Sequence, residues 1–444
     1  LPNRDVVSWS ALIAGYAQQG EGHQALVCFE QMKNEGFSPD SITFICILKA
    51  CGTIGALSKG KEVHEKIIQS GFLNTDTMLG NALVDMYVKC GMLVNARGVI
   101  DELPDRNEVT WNTLIAGYAE HGYDMEALKS FEQMQIEGLY PDSITLVCSL
   151  RCCSSVGFLK KGMKIHAEIE KRGLLEIDLD VNRALIDLYI KCDLLLVAQK
   201  LFDRLELKDM IVWNALIAGY SEAGHGEEAL TCLSEMQLLG IAPDVVTCIY
   251  ALKACGDVVA IAKGDEIHGE VVKRGFLETH LGVANALINM YIKSGWIKKA
   301  RQVFDWLPTR NTMLWNVLIM GHAKCKQGQD AIKCFKEMQV QGFTPDDITF
   351  LGLLNACSHG SLVYLSYMYV GVMSNDYGIL PTRKHYSCIL DLLGRAGHLE
   401  EAMSMGQTLS LVQSSVTCRS LMGACYNWGN VELGRQMFKS TLHS

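Results

Sequence analysis

Apolar residues along this chain fall on short helical stripes separated by glycine stops. Trp111, Leu114, Ile115 and Tyr118 stand at i, i+3, i+4 and i+7, the spacing that lines up one face of an α-helix. His121-Gly122 ends that stripe, because glycine accepts the left-handed backbone a helix stop needs. A second stripe follows in Ala127, Phe131 and Met134; Gly138 closes it, and Pro141-Asp142 restarts the chain with a strong N-cap residue. Neither helix can bury its stripe alone. The pattern therefore predicts an all-α fold, an α-solenoid superhelix of stacked helix-turn-helix units with a concave inner face.

The pattern is copied along the chain. Ile211 to Tyr220 reads I-V-W-N-A-L-I-A-G-Y, and its counterparts place tryptophan at Trp9, Trp111, Trp213 and Trp315, each 102 residues after the last. A fixed interval without insertion means one unit repeated head to tail. Within a period three sub-repeats are legible: Glu108 to Asp142 is 35 residues, Ser143 to Asp178 is 36 and Leu179 to Asp209 is 31. The 36-residue unit repeats Leu48-Lys49-Ala50-Cys51, Leu150-Arg151-Cys152-Cys153 and Leu252-Lys253-Ala254-Cys255. The 31-residue unit repeats Ala82 to Tyr87 at 184–189 and 286–291. The predicted organisation is a repeat tail at 1–5, alternating 35-, 36- and 31-residue units over 6–382, a variant short unit at 383–414 and a last helix pair at 415–444. Leu1-Pro2-Asn3-Arg4-Asp5 matches Leu103 to Asn107 and Leu307 to Asn311, so the N-terminus reads as cut within a repeat.

Composition changes this picture little. Of 444 residues 49% are apolar, enough for a continuous core, and the formal charge of −9 gives no bulk attraction to polyanions. A polyanion partner would need a local basic stripe. None of the 17 cysteines forms a C-x-x-C pair, and several follow the repeat (Cys51, Cys153, Cys255; Cys90, Cys192), as small buried apolar residues do. Such thiols point to a reducing compartment. No apolar run of about 18 residues predicts a membrane span, and no signal or transit peptide is visible.

These unit lengths, in this order, resemble the plant pentatricopeptide-repeat family, and specifically its PLS class of alternating 35-, 36- and 31-residue motifs. Tetratricopeptide repeats keep a uniform 34-residue period. Met422-Gly423-Ala424-Cys425 and Gly429 to Gly434 resemble that family's C-terminal E-type extension. The resemblance implies a right-handed superhelix, and sequence-specific binding of single-stranded RNA in a mitochondrion or chloroplast by a monomer without a cofactor. It further implies selection of cytidines for C-to-U editing, with a deaminase-bearing protein or editing cofactor acting in trans.

In the family one repeat reads one base through its fifth and last residues. Ser10 with Asp40 then corresponds to guanine. Asn112 with Asp142, Asn214 with Asp244 and Asn316 with Asp346 correspond to uracil, and Asn81 with Asn107 and Asn285 with Asn311 to a pyrimidine. Arg183 with Asp209 departs from the pattern and is unread. The 36-residue units carry Ile45, Val147, Ile249 and Leu351 at the fifth position, which cannot hydrogen-bond a base and so space rather than specify. With the RNA 5′ end at the N-terminus the expected site is G-n-Y-U-n-n-U-n-Y-U, the sixth place standing for the unread repeat.

Independently of the family, an asparagine amide offers donors and an acceptor suited to a base edge, and an aspartate can hold it in one orientation. Asp40, Asp142, Asp244 and Asp346 each follow proline and equally fit plain helix caps. Val7, Val109, Ile211 and Met313, second in the 35-residue units, fit either a base-flanking role or helix-start packing. Lys49, Arg151 and Lys253, with Lys89, Lys191 and Lys293, form a basic stripe that meets phosphates if the first helices line the groove, and is a solvated face otherwise.

His166-Ala167-Glu168 and His268-Gly269-Glu270, with His64-Glu65 at the equivalent place, echo the H-x-E of zinc deaminases. Without a C-x-x-C partner they read as scaffold, so neither metal nor catalytic residues are expected. Two other roles fit the same groove: an organellar splicing or RNA-stability factor, and a protein-binding α-solenoid scaffold.

Overall fold

A computed structural model describes residues 5–408 and 415–435. The predicted tail at 1–4 and parts of the last units, 409–414 and 436–444, lie outside the described residues. The described residues form helices joined by short turns, with no strand among them. They divide into two compact units, Leu1–Leu216 and Ile217–Ser444.

The second period shows how the sequence builds a hairpin. Its first helix, Glu108–Glu120, buries Trp111, Leu114, Ile115 and Tyr118, and its second, Asp124–Ile136, buries Ala127, Phe131 and Met134. Gly122 makes the turn between them at φ 76°, a conformation that costs other L-residues steric strain. Asp142 then starts Ser143–Val156 by accepting the Thr145 backbone N–H at 2.8 Å.

Within each unit successive first helices pack on one another, and the second helix between them packs against both. In the N-terminal unit this links Val6–Gln18, Ser41–Ile54, Thr77–Lys89, Glu108–Glu120, Ser143–Val156 and Leu179–Lys191 in one layer. In the C-terminal unit the same contacts link Val245–Asp257, Leu281–Lys293, Thr312–Lys324, Asp347–Gly360, Arg383–Ala396 and Ser415–Asn427. The repeating tryptophan is the hinge of the packing. Trp213 meets Phe202 of the preceding hairpin, and Trp315 meets Phe304, both edge-on with ring centroids 4.5 Å apart, the favoured geometry for aromatic pairs. A close crossing recurs where Gly60, Gly162 and Gly264 face Met86, Leu188 and Met290; a Cβ on Gly162 would stand 2.4 Å from a Leu188 methyl.

Candidate nucleic-acid interface

The hairpin geometry brings fifth and last residues together. The last residue of one unit is the N-cap of the next first helix, and the fifth lies one turn into the neighbouring first helix. Ser10 Oγ donates to the Val6 carbonyl at 2.8 Å and lies 3.3 Å from Asp40 Oδ1. Asn81 Nδ2 donates to Asn107 Oδ1 at 3.3 Å. Asn316 Nδ2 donates to both Asp346 oxygens, at 2.8 and 3.0 Å. Arg183 forms an ion pair with Asp209 and a second with Asp180, so the guanidinium that broke the sequence pattern is held by two carboxylates.

Two pairs are held differently. Asn112 is held by the Thr145 hydroxyl rather than by Asp142. Asn285 accepts from Asn289 at 3.3 Å instead of meeting Asn311, which caps Thr312–Lys324 through Leu314 N–H at 3.0 Å. Asn214, on Met210–Glu222, belongs to the N-terminal unit, and Asp244, the N-cap of Val245–Asp257, to the C-terminal unit. The aspartates do cap: Asp40, Asp142, Asp244 and Asp346 each accept the third backbone N–H of their helix at 2.8 Å. Capping and side-chain pairing are not exclusive. Asp346 does both. Accessibility varies: Asn112 and Asn214 are half-buried, whereas Ser10 is 6% and Asn316 4% exposed.

The second residues lie at the surface. Val7, Val109, Ile211 and Met313 are all exposed, between 45% and 71%. The sequence reading missed that Ile42, Ile144, Val246 and Ile348 of the 36-residue units, and Met78 of a short one, are exposed at the same register. The signal was present: each lies off the buried stripe of its helix, as Ile42 does beside Phe44, Ile47 and Leu48.

The basic stripe splits in two. Lys89 pairs with Asp85 at 2.7 Å, Lys191 with Asp187 at 3.0 Å, and Lys293 with Asp257. Among the described residues Lys49, Arg151 and Lys253 have no carboxylate partner, and Lys49 and Arg151 are exposed. In the N-terminal unit Val147, Arg151, Arg183 and Ile211 line one concavity of about 730 Å³ together with Asp180 and Asp187.

The histidines belong to the scaffold. His64, His166 and His268 meet the hydroxyls of Tyr87, Tyr189 and Tyr291 at 2.9, 2.7 and 2.9 Å. Burial holds all three imidazoles below the usual histidine range. Glu168 and Glu270 pair with Arg172 and Arg274. Among the described residues no group of His, Cys, Asp and Glu is placed to hold a metal ion. Burial pushes the thiols of Cys51 and Cys255 up to about 12, the inert behaviour of core cysteine. No described helix is long and apolar enough to cross a membrane.

Comparison with known proteins gives this architecture a family. The PPR repeat family model matches residues 4–53, 106–155, 208–257 and 310–359, and a PPR repeat model matches 81–107, 283–305 and 384–407. A chloroplastic pentatricopeptide repeat-containing protein of Arabidopsis thaliana is 35% identical over 97% of this chain and 50% of its own length. Another from Arabidopsis thaliana is 35% identical over 98% of this chain and 77% of its own. The chain spans 50% and 64% of the length of the first two such relatives. Among solved structures, the pentatricopeptide repeat protein PPR10 from maize matches with TM-score 0.63 at 16% identity, over 99% of this chain and 74% of that one. PPR10 in complex with an 18-nt psaJ RNA element matches with TM-score 0.58, also at 16% identity, over 99% of this chain and 79% of that one. With its tryptophan-centred hairpins, capped first helices and these matches, the chain belongs to the pentatricopeptide repeat family.

Proposed function

We propose that this chain binds single-stranded RNA in a sequence-specific way, one repeat to one base, through the fifth and last residues named above. The observation that carries the reading is the juxtaposition of those residues across neighbouring first helices, as in Asn81 with Asn107 and Asn316 with Asp346. Exposed apolar residues precede Ser10, Asn81, Asn112, Asn214 and Asn316 by three positions, at Val7, Met78, Val109, Ile211 and Met313, which suits a stacked base. The RNA complex of PPR10 supports the same ligand class.

We propose further that the units alternate as in the PLS class over 6–382, with a variant short unit at 383–414 and an E-type extension at 415–444. On that reading the RNA is an organellar transcript marked for C-to-U editing, in a mitochondrion or chloroplast, with the deaminase supplied by a partner in trans. The chain acts as a monomeric adaptor. The test is a gel shift comparing RNA of pattern G-n-Y-U-n-n-U-n-Y-U with a scrambled RNA of the same composition. Tighter binding of the patterned RNA is the expected result; equal affinity refutes sequence-specific recognition.

A further inference from the structure

The buried threonine at the third position of a first helix recurs as Thr43, Thr145, Thr247 and Thr349, each 0% exposed. A buried hydroxyl at one register in every 36-residue unit calls for a partner. Part of its role is local. Thr349 Oγ1 accepts the Asp346 backbone N–H at 3.0 Å while Asp346 Oδ1 accepts the Thr349 N–H at 2.8 Å, a reciprocal cap. The other part reaches the preceding hairpin. Thr349 Oγ1 donates to Asn316 Oδ1 at 2.5 Å, Thr145 Oγ1 donates to Asn112 Oδ1, and Thr43 Oγ1 lies 2.6 Å from Ser10 Oγ. Thr110, 0% exposed, donates to Asn81 Oδ1 at 2.6 Å.

The chain supplies its own contrast. The position equivalent to Thr110 in the fourth period is Leu314, which has no hydroxyl. The asparagine equivalent to Asn81, Asn285, is bonded to Asn289 on its own helix instead.

We propose that Thr110, Thr145 and Thr349 are positioning residues for base recognition, each fixing which way the asparagine amide it donates to faces. The inference rests on the one-repeat-one-base reading above. A hydroxyl that donates to Oδ1 anchors the oxygen inward. At Asn112, whose Nδ2 makes no hydrogen bond among the described residues, unlike Asn81 and Asn316 whose Nδ2 already donates to Asn107 and Asp346, Nδ2 is then the group left to meet a base, and it can only donate. A donor at that place donates to a carbonyl oxygen, as at O4 of uracil, and disfavours the 4-amino group of cytosine. Where leucine replaces threonine no hydroxyl fixes the amide; its bond is to another reversible amide, that of Asn289, so the pair can turn together, and uracil and cytosine become equivalent. Thus Asn112 discriminates uracil from cytosine, and Asn285 does not.

The test measures the affinity ratio for RNAs carrying uracil or cytosine at the single place facing Asn112, using the full chain. Thr145→Val removes the hydroxyl at equal volume, and Thr145→Ser keeps it. The wild type and Thr145→Ser are expected to prefer uracil by about tenfold, which is roughly one well-made hydrogen bond of discrimination. Thr145→Val is expected to bring the ratio near one, while overall affinity for an RNA bound elsewhere along its length changes little. Leu314→Thr is expected to create a uracil preference facing Asn285, a gain that mere destabilisation cannot produce. A wild type with no preference facing Asn112 refutes the base-reading assignment itself. A wild-type preference that survives in Thr145→Val, or a Leu314→Thr variant that gains nothing, overturns the positioning role alone.

Discussion

Asp346 is where capping and base reading meet, and substitution there separates the two. Its Oδ1 accepts the Thr349 N–H at 2.8 Å and the Asn316 Nδ2 at 2.8 Å, while Oδ2 accepts only Asn316 Nδ2, at 3.0 Å. Asp346→Asn with its oxygen in the Oδ1 place keeps the cap, because asparagine and aspartate cap comparably. Asp346→Ala loses the cap, at about 1 kcal/mol. It also leaves the amide of Asn316, 4% exposed, without its acceptor, which costs roughly a further 1–3 kcal/mol. Removing the amide first, as Asn316→Ala, cancels that second penalty. The double-mutant cycle of Asp346→Ala with Asn316→Ala is therefore expected to show a coupling of about 1–3 kcal/mol. Hydrogen exchange in the full chain, read on peptides covering 312–324 and 347–360, reports local opening of these two helices directly. Each 1.4 kcal/mol appears as about a tenfold change in protection. A coupling indistinguishable from zero would refute the idea that the two side chains form one unit.

Further consequences can be checked independently. Gly162→Ala drives a methyl to 2.4 Å from Leu188; overpacking of about 1–3 kcal/mol outweighs the helix-propensity gain of about 1 kcal/mol. Its melting temperature is expected to fall further than that of Gly264→Ala, where the facing atoms are the flexible end of Met290. His64, His166 and His268 are held below their usual range by burial. The unfolded chain therefore binds more protons below about pH 6.5, and the stability these residues contribute above that pH is lost as pH falls through their folded values. Thermal melts between pH 8 and pH 5 check this, and an unchanged midpoint across that range contradicts it. Arg151→Ala is expected to lower the slope of log affinity against log salt by about 0.7, as for one phosphate contact on a single strand. Lys89→Ala is expected to change that slope less, because Asp85 already neutralises Lys89.

Helix starts and stops were legible because they depend on local chemistry. Gly122 needed its positive φ and Asp142 its neighbouring N–H, and both requirements are satisfied within a few residues. The core stripes were legible because each hairpin repeats the same burial, from Trp111 to Trp315. The candidate site was legible in outline, since position in the unit decides which side chains become neighbours. Its hydrogen-bond partners were less so. Thr145 reaches Asn112 over 33 residues, and nothing within its own helix marks that reach. Charge compensation was mixed: the i,i+4 spacing of Asp85 and Lys89 announces their pairing, but the pairing of Lys293 with Asp257, 36 residues away, is set by packing. The exposed ladder of Ile42 and Ile144 could have been found by asking which apolar residues fall off their helical stripe.

The most direct measurement is selection of RNA from a random single-stranded pool by the full chain, repeated with Asn112→Ser. The account predicts enrichment of G-n-Y-U-n-n-U-n-Y-U by the wild type. With Asn112→Ser, the uracil facing that repeat should give way to guanine while the rest of the pattern stays in register. A pool enriched without periodic preference, or a variant that selects the same sequence as the wild type, would contradict one-repeat-one-base recognition.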